Sequence, residues 1–191
     1  MRSRIFIITG TSGSGKDSVI KEIKARGLDF TQVKTTVSRP KREGESEGNP
    51  YYFVSSEKFK EKIKRGEMIE YALVYGKYYG AEKKEIERCL ATNKPVIWKV
   101  DIQGVPVIKQ KYPNSICLFI SAPNFEILEK RLRGRGKDSE EVIQKRLKTA
   151  KEEMKDAEQN PIYDHIIINE EGKLDQTANR VVSIIKNYAL K

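Results

Sequence analysis

Ile5-Phe6-Ile7-Ile8-Thr9-Gly10-Thr11-Ser12-Gly13-Ser14-Gly15-Lys16-Asp17-Ser18 passes from an apolar run into a glycine-rich turn and then into a helix. The unbroken run Ile5–Ile8 reads as a strand buried on both faces, the usual state of a strand in a parallel sheet. Gly10 and Gly15-Lys16, separated by four residues, have the spacing of a loop that cradles phosphate. Glycines let such a backbone turn tightly and aim successive N–H groups at phosphate oxygens. The helix opening near Lys16 adds its positive end, and Lys16 adds a mobile cation for the outer phosphates. In this motif a Ser or Thr follows the Lys and holds magnesium. Here Asp17 stands in that place, with Ser18 after it. An ordinary glycine-rich strand-to-helix turn is the bland alternative. The order strand, loop, helix favours the nucleotide loop.

Working outward, the chain's 191 residues suit one α/β domain with small insertions. Charged residues make up 34% and hydrophobic ones 38%, a balance that suits a soluble domain. The net charge of +10 fits either nucleic acid or small anionic substrates. The clusters decide between them, and they look like phosphate clamps. Cys89 and Cys117 lack the paired spacing of a zinc site, and two lone cysteines suggest a reducing compartment. His165 is the single histidine, which excludes a histidine-based metal centre. The apolar run after Arg2 and Arg4 is too short for a signal peptide or a membrane span, so a cytoplasmic location is expected.

Val19, Ile20 and Ile23 give a helical face, and Gly27 stops that helix. Phe30–Val37 reads as one strand. Ser38–Pro50 is a loop by composition, and its basic half, Arg39-Pro40-Lys41-Arg42, is a candidate anion clamp. Tyr51–Val54 is strand-like. Ser55 or Ser56 caps a helix with Phe59 and Ile63 on its apolar face, ended by Gly66. Met68–Val74 and Lys77–Ala81 are two strands around Gly76. This block interrupts the strand–helix alternation and predicts a small insertion. The alternation then resumes: helix Lys83–Thr92, strand Val96–Asp101, helix Val105–Tyr112 and strand Ile116–Ile120. A helix opened by Asn124 follows, then one capped by Asp138, a strand Tyr163–Ile168 and a terminal helix. The pattern predicts an α/β fold with a parallel sheet flanked by helices and ligands at the carboxyl ends of its strands.

The sequence resembles guanylate kinase over essentially its whole length. The resemblance rests on Gly10–Lys16, Ser38-Arg39-Pro40-Lys41-Arg42-Glu43-Gly44, Pro50–Ser55, Gly66–Ala72, Gly76-Lys77-Tyr78-Tyr79-Gly80, Asp101-Ile102-Gln103-Gly104 and Arg131–Gly136, in that order. It implies a P-loop kinase core (residues 1–34, 82–130 and 158–191), a mixed α+β GMP-binding insertion (35–81) and a helical lid (131–157). It also implies transfer of the γ-phosphoryl group of ATP to GMP, with Mg2+. The substrates would be ATP and GMP, with dGMP as a second acceptor. No nucleic acid or membrane would be a partner, and the chain would be a monomer or homodimer. Gly10, Thr11, Ser12, Gly13, Ser14, Gly15, Lys16, Asp17 and Ser18 would hold ATP, with Arg131 and Asn169 on the same side. Arg39, Arg42, Tyr51 and Tyr79 would take the GMP phosphate. Glu70, Thr35 and Asp101 would take the guanine side. Lys16, Arg42, Arg135 and Arg146 would be catalytic.

Each of these residues also has a bland reading. Exposed Arg and Lys are usually solvated. Tyr52 and Tyr78 read as packing. Glu70 in a strand is usually the solvent-facing half of an alternation, and Asp101 could cap a turn. Lys16 in its loop is the exception. Three positions depart from the family pattern: Asp17 after the loop Lys, Lys99 where an acid is commoner, and Ala81 where a hydroxyl is commoner. Asp17 and Lys99 are expected to pair across the magnesium region, with Asp17 reaching the metal directly or through water. The rival readings are a ribose bisphosphate phosphokinase, whose loop also resembles Gly15-Lys16-Asp17-Ser18, and a non-catalytic guanylate-kinase-like binding module.

Overall fold

Every residue of β1 (Ile5–Gly10) is buried, as its unbroken apolar character requires. The computed structural model describes residues 3–134 and 139–189. After β1 come α1 (Lys16–Ala25), β2 (Thr31–Gln32), β3 (Thr35–Val37), β4 (Ser46–Glu47), β5 (Pro50–Phe53) and α2 (Ser56–Lys64). The middle of the chain forms β6 (Met68–Val74), β7 (Lys77–Glu82), α3 (Lys83–Leu90), β8 (Val96–Lys99), a short 3-10 turn and α4 (Val105–Lys111). It closes with β9 (Ile116–Ser121), α5 (Phe125–Arg133), α6 (Glu140–Gln159), β10 (His165–Ile168) and α7 (Leu174–Ala189). One five-stranded sheet has the order β10-β9-β1-β8-β2, and a second has the order β4-β5-β3-β7-β6. The first is parallel, and the second is mixed: β3 runs parallel to β5 and antiparallel to β7.

The stretch Phe30–Val37 is not the single strand its composition suggests. The Val33 N–H bonds to the Ile97 carbonyl, but the Lys34 N–H turns to a Glu85 carboxylate oxygen at 2.9 Å. That side-chain acceptor releases the backbone from the first sheet, and it rejoins the second at Thr35. The loop Ser38–Pro50 likewise contributes β4, two residues paired with β5. Other local signals act as expected. The Ser55 hydroxyl accepts from the Lys58 N–H, and the Asn124 side chain accepts from the Ile127 N–H. The expected cap of α6, Asp138, lies outside the described residues.

Contacts divide the chain into two compact units, Met1–Ile7 with Phe30–Ser115, and Ile8–Asp29 with Ile116–Lys191. The second unit packs Leu128 and Leu132 of α5 against Ile143, Leu147 and Ala150 of α6, with Ala122. Its loop depends on Gly10. A Cβ there would lie 2.0 Å from the Ile120 carbonyl oxygen of β9, at a φ of +139°. Both the space and the backbone angle exclude a side chain. Gly10→Ala is expected to cost about 3 kcal/mol or more of unfolding free energy, read by urea denaturation. An unchanged midpoint would contradict that close approach. Cys89 and Cys117 are both buried thiols. Among the described residues no helix is long and apolar enough to cross a membrane.

Candidate active site

In the second unit, Gly15 ends the loop at φ +93° and Lys16 begins α1. The Lys16 ammonium bends back over the loop and donates to the Gly10 carbonyl at 2.5 Å and the Thr11 carbonyl at 2.8 Å. The hydroxyls of Thr9, Thr11 and Ser14 are buried with no hydrogen-bond partner. A buried polar group without a partner is costly, so this row is a strained polar lining beneath the loop. Asp17, in the first turn of α1, is exposed, as is Ser18.

Asn169, one residue past β10, braces this loop. Its side-chain amide donates to the Ser14 carbonyl at 2.8 Å, its oxygen pairs with the Thr177 hydroxyl, and its carbonyl accepts from Arg131 Nη2. A Cβ on Gly15 would lie 2.3 Å from the same amide nitrogen. Asn169 therefore spends its polar side-chain atoms inside the protein, a bracing role that its spacing in the sequence did not disclose. Arg131 Nη1 is buried with no hydrogen-bond partner, and Arg146 lies on α6. Arg135 lies outside the described residues.

The first unit gathers the other set. On β6, Met68, Glu70 and Ala72 are buried while Tyr71 and Leu73 are half exposed. The strand thus turns its acid inward and its large apolar side chains outward, the reverse of the usual alternation. Glu70 is only 5% exposed and sits opposite Ala81 of β7. Burial, and then the charge of Asp101, push its carboxyl up to about 8, against the pull of the Ala81 N–H. The Trp98 indole N–H also lowers it, though it faces the carboxyl outside strict hydrogen-bond geometry. Asp101 follows β8 and accepts from the Gln103 N–H, so it caps the 3-10 turn as well as facing Glu70. A Cβ on Gly104 would lie 2.8 Å from a Glu70 carboxylate oxygen and 2.4 Å from Val100. That glycine makes the room in which Glu70 lies.

Arg39, 7% exposed, forms a two-pronged pair with Glu45 at 2.6 and 2.7 Å. Glu45 also accepts from the Arg42 N–H at 2.9 Å, which ties the turn to the guanidinium. The pairing raises Arg39 further above its ordinary value and holds Glu45 below its own. Sequence reasoning missed Glu45; its place three residues after Arg42 in a polar loop was the available signal. Arg39 Nε is buried without a hydrogen-bond partner. The guanidinium carbon lies 5.0 Å from the Tyr51 ring centre, and the nearby Tyr79 also helps to raise Arg39. Thr35 is the strand partner of Tyr51, and Val37 that of Tyr79. The Arg42 side chain is exposed. Tyr78 stacks on Phe59 at 5.2 Å, the packing role expected of it.

A phosphate loop on a strand of a parallel sheet and a second sheet with a buried carboxyl and an arginine–tyrosine set define a P-loop nucleoside-monophosphate kinase. The guanylate kinase family model matches residues 2–188, and the chain belongs to that family. It is 42% identical to a guanylate kinase of Fusobacterium nucleatum over 96% of both chains. A guanylate kinase of Helicobacter pylori is 40% identical over 95% of this chain and 86% of its own. The crystal structure of guanylate kinase from Anaplasma phagocytophilum superposes with a TM-score of 0.76 at 26% identity, covering 100% of this chain and 88% of that one.

Proposed function

We propose that this chain performs its family's reaction, ATP-dependent phosphorylation of GMP to GDP, with the loop at Lys16 as donor site and the second sheet as acceptor site. The buried carboxyl of Glu70 carries the reading. A carboxylate aimed inward from a strand is costly unless it meets a donor pair, and guanine offers one in its N1–H and N2 amino groups. Adenine presents no such pair. Thr35 and Asp101 complete the base side. Arg39, Arg42, Tyr51 and Tyr79 hold the acceptor phosphate, where forked guanidiniums match its oxygens. The resemblance extends the acceptor to dGMP.

On the donor side, the loop amides and Lys16 hold the ATP phosphates, with Arg131 and Asn169 flanking them. Arg135 and Arg146 neutralise charge on the transferred group. Residues 35–81 form the acceptor-binding insertion. Residues 131–157 form a lid whose closure keeps water from taking the phosphoryl group. Among the described residues no group of three or more His, Cys, Asp or Glu could hold a metal. Asp17, an exposed carboxylate in the first turn of α1, fits magnesium, which binds through one or two carboxylates together with substrate phosphates. Asp17 would hold it, directly or through water. When bound, the ion supplies positive charge to the phosphoryl oxygens.

A coupled ADP assay with GMP, dGMP, AMP, UMP and ribose bisphosphate tests the reading. Turnover of GMP and dGMP, and of neither AMP nor UMP, is expected; turnover of ribose bisphosphate in place of GMP would replace the reading. Gly104→Ala is expected to raise the KM for GMP about tenfold by crowding Glu70, leaving the KM for ATP unchanged. Steady-state kinetics with each nucleotide varied checks this, and equal rises in both would contradict it.

A further inference from the structure

We propose that Lys99 is a positioning residue for the acceptor phosphate, acting through the Tyr51 hydroxyl. The inference rests on the reading of Tyr51 as a phosphate donor and goes beyond it. Lys99 ends β8 and Tyr51 lies on β5, in a different sheet, yet the Lys99 ammonium is 2.6 Å from Tyr51 Oη. The same nitrogen is 4.8 Å from the ring centre. The contact at the hydroxyl has hydrogen-bond length, so the cation bonds the hydroxyl as well as lying near the ring.

The polarity of that contact is fixed by chemistry. An ammonium only donates, so the phenol oxygen must accept from Lys99. Tyr51 has a single proton left, and it must point to some other acceptor. A hydroxyl that accepts a charge-assisted bond is also a stronger donor in turn. Lys99 therefore commits Tyr51 to donating, which is what a phosphate oxygen requires. A carboxylate reaching the same hydroxyl from β8 would do the opposite and take up its proton.

The rest of the surroundings keeps the ring in place for this role. Arg39 lies against the Tyr51 ring at 5.0 Å, and Phe53 meets it edge-on at 6.1 Å. The ring is thus held by Arg39 and Phe53, while the direction of its proton is set from β8. Lys99 has three protons, so serving Tyr51 leaves others for further partners.

The test uses the whole enzyme and four variants: Lys99→Met, Lys99→Arg, Tyr51→Phe and the Lys99→Met/Tyr51→Phe double. Lys99→Met is expected to raise the KM for GMP about tenfold, with kcat and the KM for ATP within about twofold. By calorimetry its guanosine affinity should be unchanged, because guanosine has no phosphate. Lys99→Arg should recover most of the GMP affinity. The double variant should bind GMP no worse than Tyr51→Phe alone, since both changes remove one interaction. Additive losses, or an equal loss of guanosine binding, would overturn the assignment. An impaired Tyr51→Phe beside an unimpaired Lys99→Met would overturn the Lys99 role alone. Unchanged GMP binding in Tyr51→Phe would overturn the phosphate reading of Tyr51, and the Lys99 role with it.

Discussion

Lys16→Ala is expected to lower kcat by about 10²–10³-fold while leaving the KM for GMP within about twofold. The reason is where the cation sits. Lys16 is the first residue of α1, and its stem lets the ammonium reach back to the Gly10 and Thr11 carbonyls. Its charge is thus held over the loop whose amides are proposed to take the phosphates. Charge that builds on the outer phosphoryl group during transfer then finds a cation already in place, with little reorganisation. The loop backbone has supports besides the two bonds from that side chain. Gly10 and Gly15 set its course through their own backbone angles, and Asn169 ties it from β10 through the Ser14 carbonyl. The variant should therefore fold normally by circular dichroism and fail in chemistry. Lys16→Arg should not restore the rate, because a planar fork cannot take the place of a compact ammonium here. A Lys16→Ala enzyme with most of its activity would remove the donor-site mechanism.

Glu70→Gln carries the second large effect, a loss of about a hundredfold in kcat/KM for GMP. A carboxylate accepts from both guanine donors, whereas an amide accepts with its oxygen and opposes the second donor with its own N–H groups. The same substitution should change how the protein responds to pH. Glu70 titrates near 4.5 when unfolded and at about 8 when folded. Between those values the folded state keeps a proton that the unfolded state has lost. Stability conferred by the neutral carboxyl is therefore full below pH 4.5 and is lost as pH rises through about 8. Urea denaturation from pH 5 to 9 should show the wild type losing stability by at most about 1.4 kcal/mol per pH unit from this group, a component absent from Glu70→Gln. Parallel pH profiles for the two proteins would refute the assignment.

Much of the donor half was legible because its signals are local. A buried strand, three glycines and a Lys at a helix start need no distant partner to be recognised. The acceptor half was less legible. The resemblance pointed to Glu70, but the alternation of β6 gave the opposite orientation, and only the buried faces of Met68 and Ala72 show that the acid turns inward. The break at Lys34 was invisible because its cause, Glu85, lies some fifty residues along the chain. The same holds for Lys99, whose link to Tyr51 joins two sheets. Glu45 was overlooked because its one local signal, a place three residues after Arg42, does not point to Arg39 until the pairing is seen. Side chains that act across sheets are set by the topology, which local periodicity does not carry.

The central claim is that guanine is read by a carboxyl this fold keeps protonated until the base arrives. Calorimetric titration of GMP near pH 7.5, in buffers of different ionisation enthalpy, tests it most directly. The account predicts that the wild type releases most of a proton on binding and that Glu70→Gln releases none. Binding by the wild type with no proton release would contradict it.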